Sequence, residues 1–297
     1  WSIYYNKIVH STYFFNEIIK FGIKHFHGFC TDVFLIFCIL RNKGMRSRVQ
    51  NIFGIVLGNI FIQHSTKIGS DSVMTYCLEY DRTKWHSRWV AFRFDGTTRQ
   101  KRVSRKDYNI KPQYPADPKL ASNYAIEDDA SFNGYNHGHL CASADRLFSR
   151  EGNDQTFYMT NMSPQNGNFN SNYWSVLENL VQDRGRDASF ADTLYVCKGG
   201  TIEDKQFLTR VASGRIVVPK YYFMALLKVK NGAYSSIAFC MEHKDYGRNS
   251  PSRSEMSKHA MSVDELEEFT GINFFHNLPD KAEIAVETTY SISAWGL

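Results

Sequence analysis

No two cysteines stand in a CxxC pair. The six present, Cys30, Cys38, Cys77, Cys141, Cys197 and Cys240, are scattered over 297 residues. A zinc knuckle has no ligand pairs to build on. The spacing assigns no disulfides either, so cysteine usage leaves the compartment open. Internal repeats and low-complexity segments are absent, which leaves no solenoid to build and no biased tract to read. No apolar run reaches the roughly 18–20 residues that a membrane-spanning helix needs. Two shorter runs, "FCTDVFLIFCIL" (29–40) and "IFGIVLGNIFI" (52–62), are split by the basic "RNKGMRSR" (41–48), and Asp32 interrupts the first. Neither run ends in a small-x-small cleavage site. Residues 1–69 are therefore set apart as an N-terminal segment, a buried helix or an imperfect anchor, and 70–297 as the folded domain. The chain opens on Trp1 and reads as a fragment or a processed chain, with Met45 as an alternative start.

What is present is a chain that is 43% hydrophobic and 15% aromatic, with a net charge of +5 and a pI near 8.8. That suffices for a large core and permits a polyanionic partner without requiring one. The basic residues cluster. "DRTKWHSRWVAFRFDGTTRQKRVSRKDYNIK" (81–111) carries ten Lys/Arg against three Asp and no Glu, interleaved with Trp85, Trp89, Phe92, Phe94 and Tyr108. This suits either a solvated strand face or a nucleic-acid backbone.

From about residue 70 the pattern is α+β. "SRWVAFRFDGTTRQKRVS" alternates, and Asp95-Gly96 predicts a hairpin turn with a returning strand. "TLYVCKGGTI" (193–202) and "RIVVPKYYFMALLKVKNGAYSSIAFCMEHK" (215–244) predict further strands, the last two joined at Asn231-Gly232. "MSVDELEEFTG" (261–271) predicts a short helix with Ser262 and Glu265 as capping box and Gly271 as its C-terminal glycine.

Two segments carry chemistry. In "YNHGHLCASAD" (135–145), His137, His139 and Cys141 alternate along an extended strand and so share a face. In "QTFYMTNMSPQNGNFNSNYWSVLENLVQD" (155–183), "TFYMTNM" reads as a strand ended by Pro164, and Asn168 or Asn170 as the N-cap of a helix over 171–183 with Gly185 beyond it. At 100° per residue Trp174, Leu177 and Val181 fall within about 60°, with Leu180 at the edge, and form the buried stripe. Asn170 and Glu178 lie about 40° either side of Trp174. A carboxylate beside a buried stripe needs a partner, a metal's water shell or a wet margin. A neutral imidazole takes a proton from water near pH 7, a hard cation stabilises charge on phosphate, and a guanidinium adds to it.

These three stretches, "YNHGHLCASAD", "TFYMTNMSPQ" and "FNSNYWSVLE", resemble the DNA/RNA non-specific endonuclease family of endonuclease G and Serratia-type nucleases. Its pattern runs DRGH, then a strand ending N-x-(S/T)-P-Q, then N-x-x-x-W-x-x-L-E. The likeness extends from about 74 to 295, and "SVDELEEFTGINFFHNLP" looks like the family's closing helix. It implies a ββα-metal fold, a central antiparallel sheet with flanking helices, and one Mg²⁺, for which Mn²⁺ can substitute. It aligns His139 with the general base, Asn170 with the direct metal ligand, Glu178 with the residue orienting metal-bound water, and Asn161 with the asparagine that supports the site from the strand end. Arg105 is the best match to the transition-state arginine, with Arg102 as competitor, and Cys141 needs no ligand role. The implied activity is hydrolysis of DNA and RNA to 5′-phosphate products.

The chain departs from the pattern at Asn136-His137, where the family has Asp-Arg, and at Gln182, where it can show Arg. His137 thereby inherits the substrate-binding position on the phosphate side, without a permanent charge. Reduced or more pH-dependent activity is expected, and a catalytically weakened nucleic-acid binder on the same fold is the alternative. A zinc protein using His137, His139 and Cys141 is a third reading, but alternate positions of one strand subtend too little of a tetrahedron. DNA and RNA are the expected partners, with a homodimer and an inhibitor protein as further candidates. A secreted, periplasmic or membrane-anchored location is favoured over the cytoplasm.

Overall fold

The structure, a computed structural model, describes residues 58–297. The run 29–40, the basic 41–48 and residues 52–57 of the second run lie outside the described residues. Its centre is a seven-stranded sheet in the order β1-β2-β3-β6-β9-β10-β11. The strands are β1 (Ile60–Ile68), β2 (Asp71–Asp81), β3 (His86–Phe94), β6 (Thr193–Gly200), β9 (Tyr221–Lys230), β10 (Ala233–Glu242) and β11 (Ala260–Met261). Every pairing is antiparallel. Two ribbons stand apart, β4 (Asn136–His139) with β5 (Met162–Gln165) and β7 (Phe207–Val211) with β8 (Ile216–Pro219). The boundary set at residue 70 falls at the first hairpin: β1 pairs with β2 throughout, so the sheet already includes Ile60.

Period-two alternation puts Tyr76, Leu78 and Tyr80 of β2, Val90, Phe92 and Phe94 of β3, and Tyr222, Met224 and Leu226 of β9 into one core. Trp174, Leu177 and Val181 close that core, as the helical spacing predicts. They sit on a π-helical turn (Phe169–Trp174) that runs into an α-helix, Ser175–Arg186. With Arg150–Gln155 as α1, that helix is α2; α3 (Arg253–Ser257), α4 (Val263–Thr270), α5 (Asp280–Glu287) and α6 (Ile292–Trp295) follow. The β9–β10 turn has Asn231 and Gly232 at φ 50° and 76°, as a two-residue type I′ connection requires. The α4 capping box and the left-handed Gly271 are both present. No helix of the described residues is long and apolar enough to cross a membrane.

Three local expectations fail. No strand returns after Asp95-Gly96, because both edges of β3 are taken, by β2 and β6. The Asp95 carboxylate instead accepts from the backbone of Thr97 and Thr98, each at 2.9 Å, and turns the chain out of the sheet. "TFYMTNM" is not a strand. Met159–Asn161 is a 3₁₀ turn, and β5 begins at Met162 with Pro164 inside it. A two-stranded ribbon leaves the strand an open edge, where a residue without an N–H is tolerated. Gly185 lies within α2 rather than beyond it. A Cβ there would stand 2.3 Å from Phe94 Cδ2, so the missing side chain is what lets the helix sit on β3.

Candidate active site

The β4–β5 ribbon delivers one wall of a cleft of about 410 Å³ and the start of α2 the other; Arg105, His137, His139, Asn170, Glu178 and Gln182 all line it. The ribbon register pairs His137 with Pro164 and His139 with Met162. Between the histidines Gly138 admits the amide of Gln165, whose Oε1 would be 2.1 Å from a Cβ. Past His139 the chain is pinned by Asn161. Its Oδ1 accepts from Cys141 N at 2.8 Å, and its Nδ2 donates to Cys141 O at 2.8 Å and Thr156 O at 2.6 Å. Asn161 is wholly buried. It holds the end of β4 from beneath and does not face the cleft, so it positions the site rather than touching substrate.

His139 packs edge-on to Phe157, with centroids 5.0 Å apart. Its Nε2 is buried without a hydrogen-bond partner. Burial lowers its pKa to about 3, with the charge of Arg105 adding to the effect and Asp145 opposing it. Burial and that guanidinium both favour the neutral imidazole. His137 has a different fate. It is sandwiched between Tyr114 and Phe132, each with ring centroids at 4.2 Å, and its Nε2 donates to Ala130 O at 3.0 Å. Burial lowers its pKa too. The phosphate-side charge expected of His137 is therefore disfavoured: a ring stacked on both faces, with its pKa lowered by burial, stands where the family has arginine.

Asn170 lies on the π turn, a rare geometry that tends to occur at functional sites. The capping role given to Asn168 or Asn170 belongs to Asn166, whose Oδ1 accepts from Asn168 N at 2.9 Å and Phe169 N at 3.1 Å. That leaves the Asn170 amide for the cleft. Glu178, one helical stretch on, accepts from Lys198 Nζ at 3.1 Å, and the same ammonium reaches Asp145 at 2.9 Å. Lys198 and Asp145 are fully buried, whereas the Glu178 side chain is 15% exposed. Burial raises the Glu178 pKa, and Lys198 works against it. For Lys198 burial alone would favour the neutral amine; Asp145 and Glu178 outweigh it and keep it charged.

The sequence reading missed Lys198 and Asp145. The one available signal was a lone cation inside the apolar strand "LYVCKGG". Of the competing arginines Arg105 lines the cleft, from a 3₁₀ turn capped by Ser104. Arg102 is held by its backbone N–H to Leu147 O at 2.8 Å, away from the lining.

Among the described residues no three His, Cys, Asp or Glu are grouped to hold a metal. Cys141 is in the core, and its thiol is pushed up by burial. The zinc reading has no site. Among the oxygen donors that line the cleft, the Asn170 amide and the partly exposed Glu178 carboxylate fit a hard cation that keeps most of its waters.

A strand ribbon, a helix and a histidine–asparagine–glutamate cleft agree with the match of residues 58–281 to the model of the DNA/RNA non-specific endonucleases. The chain belongs to that family. It is a hydrolytic nuclease with the ββα-metal fold. It is 27% identical over 244 residues to a nuclease of Nostoc sp., covering 79% of this chain and 84% of that one. It is 25% identical to the mitochondrial nuclease EXOG of Xenopus laevis, covering 69% of this chain and 58% of the relative. The fold resembles that solved in the EndoG/EndoGI complex, described as showing the mechanism of EndoG inhibition, with a TM-score of 0.59 and 21% identity over 74% of this chain and 89% of that one.

Proposed function

We propose that the chain is a magnesium-dependent endonuclease that hydrolyses DNA and RNA to 5′-phosphate products, with His139 as general base. The observation that carries this reading is the His139 ring, half-buried and with no hydrogen bond on Nε2, in one cleft with Arg105, Asn170 and Glu178. Water attacks phosphorus in line with the 3′ oxygen as the imidazole takes its proton, the P–O3′ bond breaks, and the 3′ oxygen leaves to be protonated. A base so placed is worth roughly 10²–10⁴ in rate. Arg105 balances charge on the non-bridging oxygens. Asn170 would hold the ion through its amide oxygen while Glu178 orders the surrounding waters; the ion would supply positive charge at the phosphate and the leaving oxygen. Manganese has the same oxygen preference and would substitute.

The second reading, a catalytically weakened nucleic-acid binder, draws on one fact: Arg105 is the single cation lining the cleft among the described residues. One assay separates the two. Plasmid and single-stranded RNA are incubated with Mg²⁺, with Mn²⁺ and with EDTA, and the ends are typed. Fragments with 5′-phosphates in either metal and none in EDTA are expected. Retention of nucleic acid without cleavage supports the binder, and cleavage in EDTA contradicts both. An inhibitor protein and a homodimer are proposed as partners, the former because the structurally similar EndoG is seen with EndoGI. A location outside the cytoplasm is proposed from the apolar runs of 1–69; the mitochondrial EXOG relative adds the organelle as a further such place.

A further inference from the structure

We infer that His243 is a positioning residue for the turn that carries Asn170. The inference rests on reading Asn170 as the metal ligand. His243 follows the last residue of β10 and is 4% exposed. The rings of Tyr222, Phe169 and Tyr135 surround it at 5.1, 5.2 and 5.8 Å. Its Nδ1 lies 2.8 Å from the carbonyl oxygen of Pro219, which only accepts, so Nδ1 carries the proton and donates. Its Nε2, left with a lone pair, accepts from the backbone N–H of Asn166 at 2.7 Å. Both nitrogens are committed, and the tautomer is fixed.

Asn166 passes this constraint on. Its side-chain oxygen caps Asn168 and Phe169, and its carbonyl accepts from Asn170 N at 2.8 Å. The segment after His243 grips the same turn twice more. Asp245 accepts from Asn168 Nδ2 at 2.9 Å, and Gly247 O accepts from Asn172 Nδ2 at 3.4 Å. The exit of β10 thus holds residues 166–172 at three points without lining the cleft. A site with one neutral protein ligand has little affinity to lose, so the placement of that ligand sets how tightly the ion is held. Side chains that orient a ligand from behind are worth about 10–100-fold in metal affinity.

The test compares the full chain with His243→Phe, which keeps an aromatic body but no acceptor, and His243→Gln, which keeps an acceptor at similar reach. Asn170→Ala is run beside them. Mn²⁺ binding is read by electron paramagnetic resonance without substrate, alongside the Mg²⁺ concentration giving half-maximal cleavage. His243→Phe is expected to raise the Mn²⁺ dissociation constant and the half-maximal Mg²⁺ concentration each by about tenfold or more, with kcat at saturating Mg²⁺ nearly unchanged. His243→Gln is expected to recover most of the loss. Wild-type Mn²⁺ affinity in His243→Phe, while Asn170→Ala loses it, overturns the role of His243. Wild-type affinity in Asn170→Ala overturns the ligand assignment itself. Should His243→Phe not fold, the exposed Asp245→Ala takes its place: a weaker Mn²⁺ affinity supports the brace, and an unchanged one overturns it.

Discussion

Lys198 sets the charge balance at the back of the cleft. One buried ammonium serves Asp145 and Glu178, so removing it strands two carboxylates. Breaking such a cluster costs about 3–5 kcal/mol. Lys198→Met is expected to melt measurably lower and to show a displaced acid limb in kcat/KM. The sign follows from the charges: Lys198 lowers the Glu178 pKa against burial, so its loss raises that pKa, and the ionised carboxylate disappears at a higher pH. His139 does not produce this limb, because with a pKa near 3 it is already neutral. An unmoved acid limb in Lys198→Met would detach Glu178 from the reaction. At this scale His139, Asn170 and Glu178 were legible as cleft residues, since short ordered patterns name them and the cleft collects them; Arg105, chosen over Arg102 as the better upstream match, lines the same cleft. Lys198 was not: its partners lie 53 and 20 residues away, a distance no local pattern spans. The setting of His137 was not legible, because Tyr114 and Phe132 are brought to its two faces only by the fold.

Among the elements, α2 and its π turn do the positioning. The buried stripe of Trp174, Leu177 and Val181 was readable from spacing alone, as were the Asn231-Gly232 hairpin and the capping box of α4. The failures share a cause. At Asp95-Gly96, at Pro164 and at Gly185 a local signal was overruled by what lay alongside: occupied sheet edges, an open ribbon edge and the Phe94 ring. Gly185→Ala gives the clearest check. Alanine favours a helix over glycine by about 1 kcal/mol, yet its methyl would stand 2.3 Å from Phe94 Cδ2. Overpacking costs about 1–3 kcal/mol, so a lower denaturation midpoint in urea is the expected outcome, with metal dependence of cleavage unchanged. A stabilised variant would show that the α2–β3 contact is looser than described.

Across the whole molecule the basic stretch 81–111 divides in two. Arg88 and Arg99 are buried, and Trp89, Phe92 and Phe94 belong to the interior rather than to any nucleic-acid surface. Lys101, Arg102, Lys106 and Lys111 are exposed and flank Arg105 along the chain, so the polyanion-facing charge is carried by this shorter piece. Composition announced a basic chain; only the fold sorted which half of the stretch is free. The central claim concerns His139, and the rate of cleavage of a short duplex by His139→Ala at saturating Mg²⁺ tests it most directly. A fall of about 10²–10⁴ is expected, with duplex binding retained and part of the rate restored by added imidazole in proportion to its neutral form. A His139→Ala rate within tenfold of the wild type would contradict the account.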